Sequence, residues 1–240
     1  MTRAATITPF VAGAEIHIPV GVSAVRTRYR ERAMELVAAE RLGRHSKMSF
    51  RIVPLDFPAT DSGELWVKGE MLYAPRLLPE SGKLTALAFG VGTLGAEFEH
   101  RISTLFGERK ASLAVALDSL ANELLMDVSR RLQDRILAAA QKQGLDVSGE
   151  LHAGDPGLDL SAQGLVLRMA EAHSVGVHVS AGLLLNPLKS TSVVFGVGEN
   201  LPAATWSRCD ECRSRPKCGF AKRRELEALE KLAMNAGIAR

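Results

Sequence analysis

Residues 96–143 carry the sequence pattern that most restricts what this chain can fold into. Apart from a break at Gly107, apolar residues recur there at three- and four-residue spacing, as one face of a long helix requires. The repeating residues are Leu113, Leu117, Leu120, Leu124, Val128 and Leu132. A lysine followed by Gly144 then gives a normal helix C-terminus. Directly before this helical region, the apolar run LTALAFGV predicts a strand at 84–91.

Further helices and strands alternate irregularly around this region. Helical spacing of charged and apolar residues predicts helices over 26–44, 159–175 and 221–237. Runs rich in β-branched and apolar residues predict strands at 14–22, 48–57, 64–74, 175–186 and 191–198. Residues 144–159, rich in Gly, Asp and Pro, are predicted to form a loop. Because the strands and helices lack a regular strand–helix–strand spacing, we predict an α+β fold.

The overall composition excludes several classes of protein. The formal net charge is only +3, from 30 basic and 27 acidic residues, which argues against a nucleic-acid partner. No apolar stretch reaches the ~18 residues that a membrane span needs, so no membrane association is expected. The N-terminal apolar run is short and is followed by Glu15 and His17, unlike a cleaved signal peptide. We therefore expect a cytoplasmic protein.

Gly90, Gly92 and Gly95 form a G-x-G-x-x-G motif between the predicted strand and the helical region. In a dinucleotide-binding fold, this motif places a pyrophosphate on a helix N-terminus and is followed by a helix and a second strand with an acidic end. The candidate acidic residue, Asp118, belongs instead to the long helical pattern. We therefore predict that the glycines serve a strand-to-helix junction, with Thr93 near the helix start and Gly95 allowing close packing.

Four segments, in order, resemble the activation domain of cobalamin-dependent methionine synthase, and above all its stand-alone, cysteine-bearing relatives. They are GTLGAEFEHRISTLF, SLAVALDSLANELLMDVSRRL, LLLNPLKSTSVVFGVG and SRCDEC, and the resemblance covers roughly residues 80–220. The matching positions are Thr93, Leu94, Gly95, Asp118, Gly154, Leu160, Ser161, Gln163, Pro187, Lys189, Ser190 and Ser192. The resemblance implies a twisted antiparallel sheet with helices, followed by a C-terminal cysteine cluster and helix.

The same resemblance implies an activity, a cofactor and partners. Activation domains of this family bind S-adenosylmethionine and act on a cobalamin-carrying domain, where an electron and the methyl group together restore the oxidised cofactor. For this chain it implies that a separate cobalamin-binding methyltransferase protein supplies the cobalamin, and that flavodoxin or ferredoxin donates the electron. Gly154, Asp155 and Gln163 would face S-adenosylmethionine, and Lys189, Ser190 and Ser192 the corrinoid.

The loop that would hold S-adenosylmethionine departs from the family pattern. The family sequence is typically R-x-S-P-G-Y, and counting back from Gln163 puts Glu150 at the arginine and Asp155 at the tyrosine. An arginine would pair with the methionine carboxylate, whereas a glutamate would repel it. No arginine lies between 136 and 167. A solvated connector is therefore an equally good interpretation of this loop.

Cys209, Cys212 and Cys218 are the only cysteines, and their C-x2-C-x5-C spacing indicates metal ligands rather than a disulfide framework. Three thiolates suit a [4Fe–4S] cluster with one iron left to another ligand, or zinc completed by a fourth group. Nearby Arg213, Arg215 and Lys217 would favour thiolates. An iron–sulfur cluster is the preferred interpretation because it could carry an electron to cobalt.

These observations leave two functions open. The first is an accessory activator of a corrinoid methyltransferase, and the second is a non-catalytic corrinoid- or partner-binding module with structural zinc. We divide the chain into an N-terminal portion of the fold (1–80), an activation-domain-like core (81–204) and a cysteine segment with a final helix (205–240). Whether that final helix makes a homodimer stays open.

Overall fold

The structure is a computed structural model that describes residues 24–206 and 210. Four α-helices lie in this part of the chain: α1 (Ala24–Glu40), α2 (Glu97–Gly107), α3 (Ala111–Gln141) and α4 (Gln163–Met169). The strands within the same residues are β1 (Lys47–Pro54), β2 (Glu64–Val67), β3 (Glu70–Tyr73), β4 (Lys83–Thr93), β5 (Asp146–Leu151), β6 (His178–Val179), β7 (Leu185–Asn186) and β8 (Ser190–Glu199).

A four-stranded antiparallel sheet in the order β1-β4-β8-β5 forms the centre of the fold. Strands β2 and β3 make a separate hairpin, and β6 and β7 form a short two-stranded pair. The protein is thus an α+β fold built on an antiparallel sheet, as the sequence predicts.

Both faces of the central sheet are covered, so β4 is buried along nearly its whole length. Ala86 and Ala88 face a core made with α1, α2 and α3, whereas Leu87, Phe89 and Val91 face a second core made with α4 and the β2–β3 hairpin. This alternation follows from the two-residue period of a strand. Each fully buried leucine in these cores contributes about 1.5–3 kcal/mol.

Helix α3 is the long helix predicted from residues 96–143, and Gly107 ends α2 where the break was expected. Its Leu117, Leu120 and Leu132 are fully buried, and Leu132 packs directly on Gly90 of β4. On its other side, Glu123 accepts two hydrogen bonds of 2.5 Å from Arg30 of α1. The hydrogen bond to Glu123 raises the pKa of the Arg30 guanidinium and fixes α1 to α3.

Of the three motif glycines, only Gly95 lies in the predicted strand-to-helix junction, between β4 and α2. Gly90 and Gly92 lie inside β4, where an added Cβ would be 3.0 Å from Leu132 Cδ2 and 2.7 Å from Val128 Cγ1 respectively. The two glycines therefore allow α3 to pack closely against β4. Gly95 has φ +80° and no atom within 4 Å of an added Cβ, so it serves backbone conformation instead of close packing.

Four predicted elements differ from the structure. The helix predicted over 159–175 is the shorter α4 with a 3-10 turn on each side, and the strand predicted over 175–186 is the β6–β7 pair. Residues 64–74 form the β2–β3 hairpin rather than one strand, because Lys68 (φ 50°) and Gly69 (φ 77°) adopt the two left-handed positions of a tight turn. The predicted loop 144–159 contains β5, whose pairing with β8 shifts register between Ser148 and Leu151 around Gly149.

Other predictions agree with the structure or lie outside it. Helix α1 ends at Glu40, earlier than predicted, and Asp159 caps the region of α4 through the backbone N–H of Ser161. The predicted strand at 14–22 and helix at 221–237 lie outside the described residues. Within the residues described, no helix is long and apolar enough to cross a membrane.

Candidate functional site

The T-L-G segment and the P-x-K-S segment, almost a hundred residues apart, meet at one end of the central sheet. Thr93 and Ser190 are paired in the β4–β8 register, and Ser190 Oγ donates to Thr93 Oγ1 at 2.8 Å. Thr93 Oγ1 also accepts from the backbone N–H of Gly95 at 3.0 Å. The backbone N–H of Leu94 donates to the carbonyl of Lys189 at 2.9 Å. These bonds fix the turn before α2 against the start of β8.

The ammonium group of Lys189 joins the same turn to α3. It donates to Asp118 Oδ1 at 2.6 Å and to Asn122 Oδ1 at 2.7 Å. Asn122 in turn donates to Asp118 Oδ2 at 3.3 Å. Lys189 is largely buried while Asp118 is about half exposed. The positive charge of Lys189 is therefore used to hold the segment after β7 on the surface of α3.

Sequence reasoning singled out Lys189 and Asp118 but missed Asn122. The sequence could have indicated Asn122, because it lies four residues after Asp118 and side chains at i and i+4 of a helix lie side by side. It also missed Glu99 of α2, which accepts a 3.2 Å hydrogen bond from the backbone N–H of Leu188.

Gln163 and Ser192, the next two predicted site residues, form a buried pair. Gln163 Nε2 donates to Ser192 Oγ at 2.9 Å, and each residue is only 4% exposed. The bond connects the first residue of α4 to the third residue of β8. Because both groups are enclosed, they position α4 on the sheet within this structure.

Gly154 and Asp155 lie in a tight turn after β5. The carboxylate of Asp155 accepts from the backbone N–H of His152 at 3.0 Å, and the backbone N–H of Gly154 donates to the carbonyl of Leu158 at 2.9 Å. Gly154 (φ 95°) and Gly157 (φ 93°) adopt the left-handed conformation that glycine tolerates best. Residues 152–158 are thus an ordered turn with its own internal hydrogen bonds.

Glu150, at the position of the family's arginine, lies in β5 and its carboxylate is engaged. Its Oε1 accepts from Gln133 Nε2 at 2.9 Å and lies 3.0 Å from His152 Nε2. The pair attaches the beginning of the 152–158 turn to α3. A carboxylate held there does not fit the carboxylate end of S-adenosylmethionine.

Arg76, which follows the β2–β3 hairpin, brings a cation to this turn from a distant part of the sequence. Its Nη1 donates to the carbonyl of Pro156 at 3.3 Å, and its guanidinium lies 5.3 Å from the ring centroid of Trp206. An added Cβ at Gly157 would be 2.8 Å from Arg76 Cδ, so that glycine makes room for the arginine. No local sequence motif signals this contact, because it joins residues eighty positions apart.

The predicted metal ligands Cys209, Cys212 and Cys218 lie outside the described residues. Among residues 24–206 and 210, no group of three or more His, Cys, Asp or Glu side chains could hold a metal ion. The structure therefore leaves the cysteine prediction untested.

Comparison with known proteins shows similarity in structure but not in sequence. No protein-family model matches the chain. No curated protein matches it in sequence. Among solved structures, the chain is similar to a crystal structure of the MetH reactivation domain bound to AdoHcy. The TM-score is 0.47 and the identity 10%, over 80% of this chain and 72% of that one. Such an identity carries no residue's role across to this chain.

Proposed function

We propose that the protein is an accessory activator that reductively restores a corrinoid-dependent methyltransferase, acting on a separate cobalamin-binding protein. The observation that carries this proposal is the meeting of the separated motif segments. Thr93, Asp118, Lys189 and Ser190 were selected from sequence alone, and their side chains form two pairs, Thr93–Ser190 and Asp118–Lys189, joined through the backbone carbonyl of Lys189. Motifs that matched only by coincidence would have no reason to meet in space.

In this proposal, the residues around Lys189 mainly hold the β7–β8 turn in position. Not all of them contact the cofactor. Ser190 and Ser192 are buried and Lys189 is paired with α3, whereas Leu188 in the turn before them is 60% exposed. The turn between β7 and β8 would therefore face the corrinoid, with Lys189, Ser190 and Ser192 fixing its position.

The proposal includes S-adenosylmethionine as the methyl donor. It would lie at the 152–158 turn, with Gly154 and Asp155, while Gln163 would hold α4 on β8 through Ser192. Glu150 does not provide the cation that the donor's carboxylate needs, and the nearby guanidinium of Arg76 is the group with suitable charge. When bound there, S-adenosylmethionine would supply the methyl group. The residues of this chain would orient it.

An iron–sulfur cluster held by Cys209, Cys212 and Cys218 would relay the electron from flavodoxin, ferredoxin or a similar donor. The support is the cysteine spacing and the basic residues around it. Such a cluster predicts a brown protein after anaerobic purification, with iron and sulfide lost in Cys212→Ser.

The direct test combines the protein with a Co(II) corrinoid protein and a reductant, and follows the absorption spectrum of cobalamin with and without S-adenosylmethionine. We expect conversion to a methylated corrinoid that requires the protein. Lys189→Met should slow this conversion by about tenfold or more, because the loss of one charge-assisted contact of about 1.5–3 kcal/mol would displace the β7–β8 turn. Lys110→Met, at an exposed lysine paired with Glu108, is the matched control. An unchanged cobalamin spectrum in every mixture would rule out the activator.

The alternative is a non-catalytic module that binds a corrinoid or a partner protein, with zinc as a structural ion. The engaged carboxylate of Glu150 favours it, because a methyl-donor site with that group has lost its carboxylate anchor. A colourless protein with stoichiometric zinc, and corrinoid-protein binding without spectral change, would support the module.

A further inference from the structure

The outer face of the β2–β3 hairpin is apolar and exposed. Trp66 and Met71 are directly opposite each other in the hairpin register and are 38% and 43% exposed, while Tyr73 is 57% exposed. Phe57 is 63% exposed and contacts Trp66 edge-to-face, with ring centroids 6.4 Å apart. Aromatic and methionine side chains grouped in this way are typical of interaction surfaces. We call these four residues the hairpin face.

The hairpin that carries this face is held firmly from behind. Leu65, Val67 and Leu72 are buried in the core on the α4 side of the sheet. The carboxylate of Asp56 accepts hydrogen bonds from the backbone N–H groups of Lys68, at 3.0 Å, and Gly69, at 2.6 Å. The hairpin face is therefore a preformed platform, which lowers the entropic cost of binding.

The charge around the hairpin face selects for a basic partner. Residues 56–73 contain four carboxylates, Asp56, Asp61, Glu64 and Glu70, and a single basic residue, Lys68. Asp61 and Glu64 are exposed at its border. Residues 221–237 contain four basic and three acidic residues, and three of the basic ones, Lys222, Arg223 and Arg224, are consecutive. The two segments are complementary in charge.

The chain also leaves the described structure close to the hairpin. Trp206 packs with Arg76, and Arg76 lies three residues after Tyr73 at the end of β3. Within residues 221–237, Leu226, Leu229 and Ala233 recur at helical spacing, which predicts one apolar stripe bordered by charged residues. The linker of about fourteen residues can extend to ~45 Å, well beyond the length of the hairpin.

We propose that residues 221–237 of the same chain bind the hairpin face, with their leucine stripe on Trp66, Met71 and Tyr73 and their basic residues near Asp61 and Glu64. The tether makes this association intramolecular, so modest contacts suffice for a high occupancy. The segment that carries the cysteines would then be connected to the rest of the fold at both of its ends.

The test uses the fluorescence of Trp66 in the full chain with Trp206→Phe, which leaves Trp66 as the sole tryptophan. Leu229→Gln removes the centre of the leucine stripe and should raise the acrylamide quenching constant of Trp66 about twofold, because water regains access to the ring. Ala228→Gln, beside the stripe, is the matched control and should leave the quenching constant unchanged.

Equal quenching constants in the parent protein and in Leu229→Gln would overturn the proposal. A quenching constant that falls as protein concentration rises would also overturn it, because a second copy of the chain would then cover the hairpin face. Association within one chain predicts quenching that is independent of concentration. It also predicts easier quenching at high salt, since the complementary charges are screened.

Discussion

Single residues in this fold are constrained mainly by the close approach of α3 to the central sheet. Gly90 and Gly92 have no side chain, and the side chains of Val128, Leu132 and Ile136 occupy the space above them. The same glycines complete a motif associated with dinucleotides, yet they lie within β4 and not in a loop before a helix. A glycine pattern is thus explained here by packing and not by a ligand.

We predict that Gly92→Ala destabilises the protein by about 1–3 kcal/mol, because its new methyl group would overpack against the short side chain of Val128. Gly107→Ala is the control, since nothing lies within 4 Å of an added Cβ there and its backbone is helical. That control should be neutral or slightly stabilising. Urea unfolding of both variants measures the difference, and equal stabilities would contradict the packing role of Gly92.

At the scale of elements, long-range polar contacts connect pieces that the sequence shows only separately. Lys189 joins the β7–β8 turn to α3, Gln163 joins α4 to β8, and Arg168 of α4 pairs with Glu70 of the hairpin. Each contact links residues at least 29 positions apart, so local patterns predict the elements but not their partners.

The Glu70–Arg168 pair gives a pH-dependent prediction. The hydrogen bond from Arg168 lowers the pKa of Glu70 below its ordinary value of 4.5 in the folded protein. A depressed carboxyl pKa stabilises the fold above the unfolded-state pKa, and this contribution is lost as the pH falls through the folded-state pKa. Glu70→Gln should therefore lower stability at neutral pH and have progressively less effect in acid.

The measurement is the thermal unfolding midpoint of the wild type and Glu70→Gln across the acid range. Glu64→Gln is the control, because Glu64 is exposed on the hairpin. Only a modest effect is expected from a pair that is partly open to solvent. A difference between wild type and Glu70→Gln that grew towards acid would contradict the assignment.

At the scale of the whole molecule, one sheet separates two cores and belongs to both. Strands β4 and β8 place alternate residues in the core with α3 and in the core with α4. If the sheet unfolds, both cores lose the face against which they pack. The described part of the chain is therefore expected to unfold as one unit.

We predict that equilibrium unfolding in urea follows a single transition. Far-ultraviolet circular dichroism reports mainly α3 and the other helices, whereas Trp66 fluorescence reports the hairpin on the opposite side. Both signals should give the same midpoint. An earlier fluorescence transition would show that the hairpin and α4 unfold independently, and Trp66→Phe distinguishes its signal from that of Trp206.

Apolar spacing within single segments is enough to predict the long helix α3, the break at Gly107, the strands β1, β4 and β8 and the α+β class. The sequence also selected Thr93, Asp118, Lys189 and Ser190 through a resemblance. The packing of the elements brings these four residues together, holds Glu150 against Gln133 and His152, and places Arg76 at the 152–158 turn. Such contacts depend on how the elements pack against one another. The spacing of residues along one helix or strand does not identify the element that packs against it.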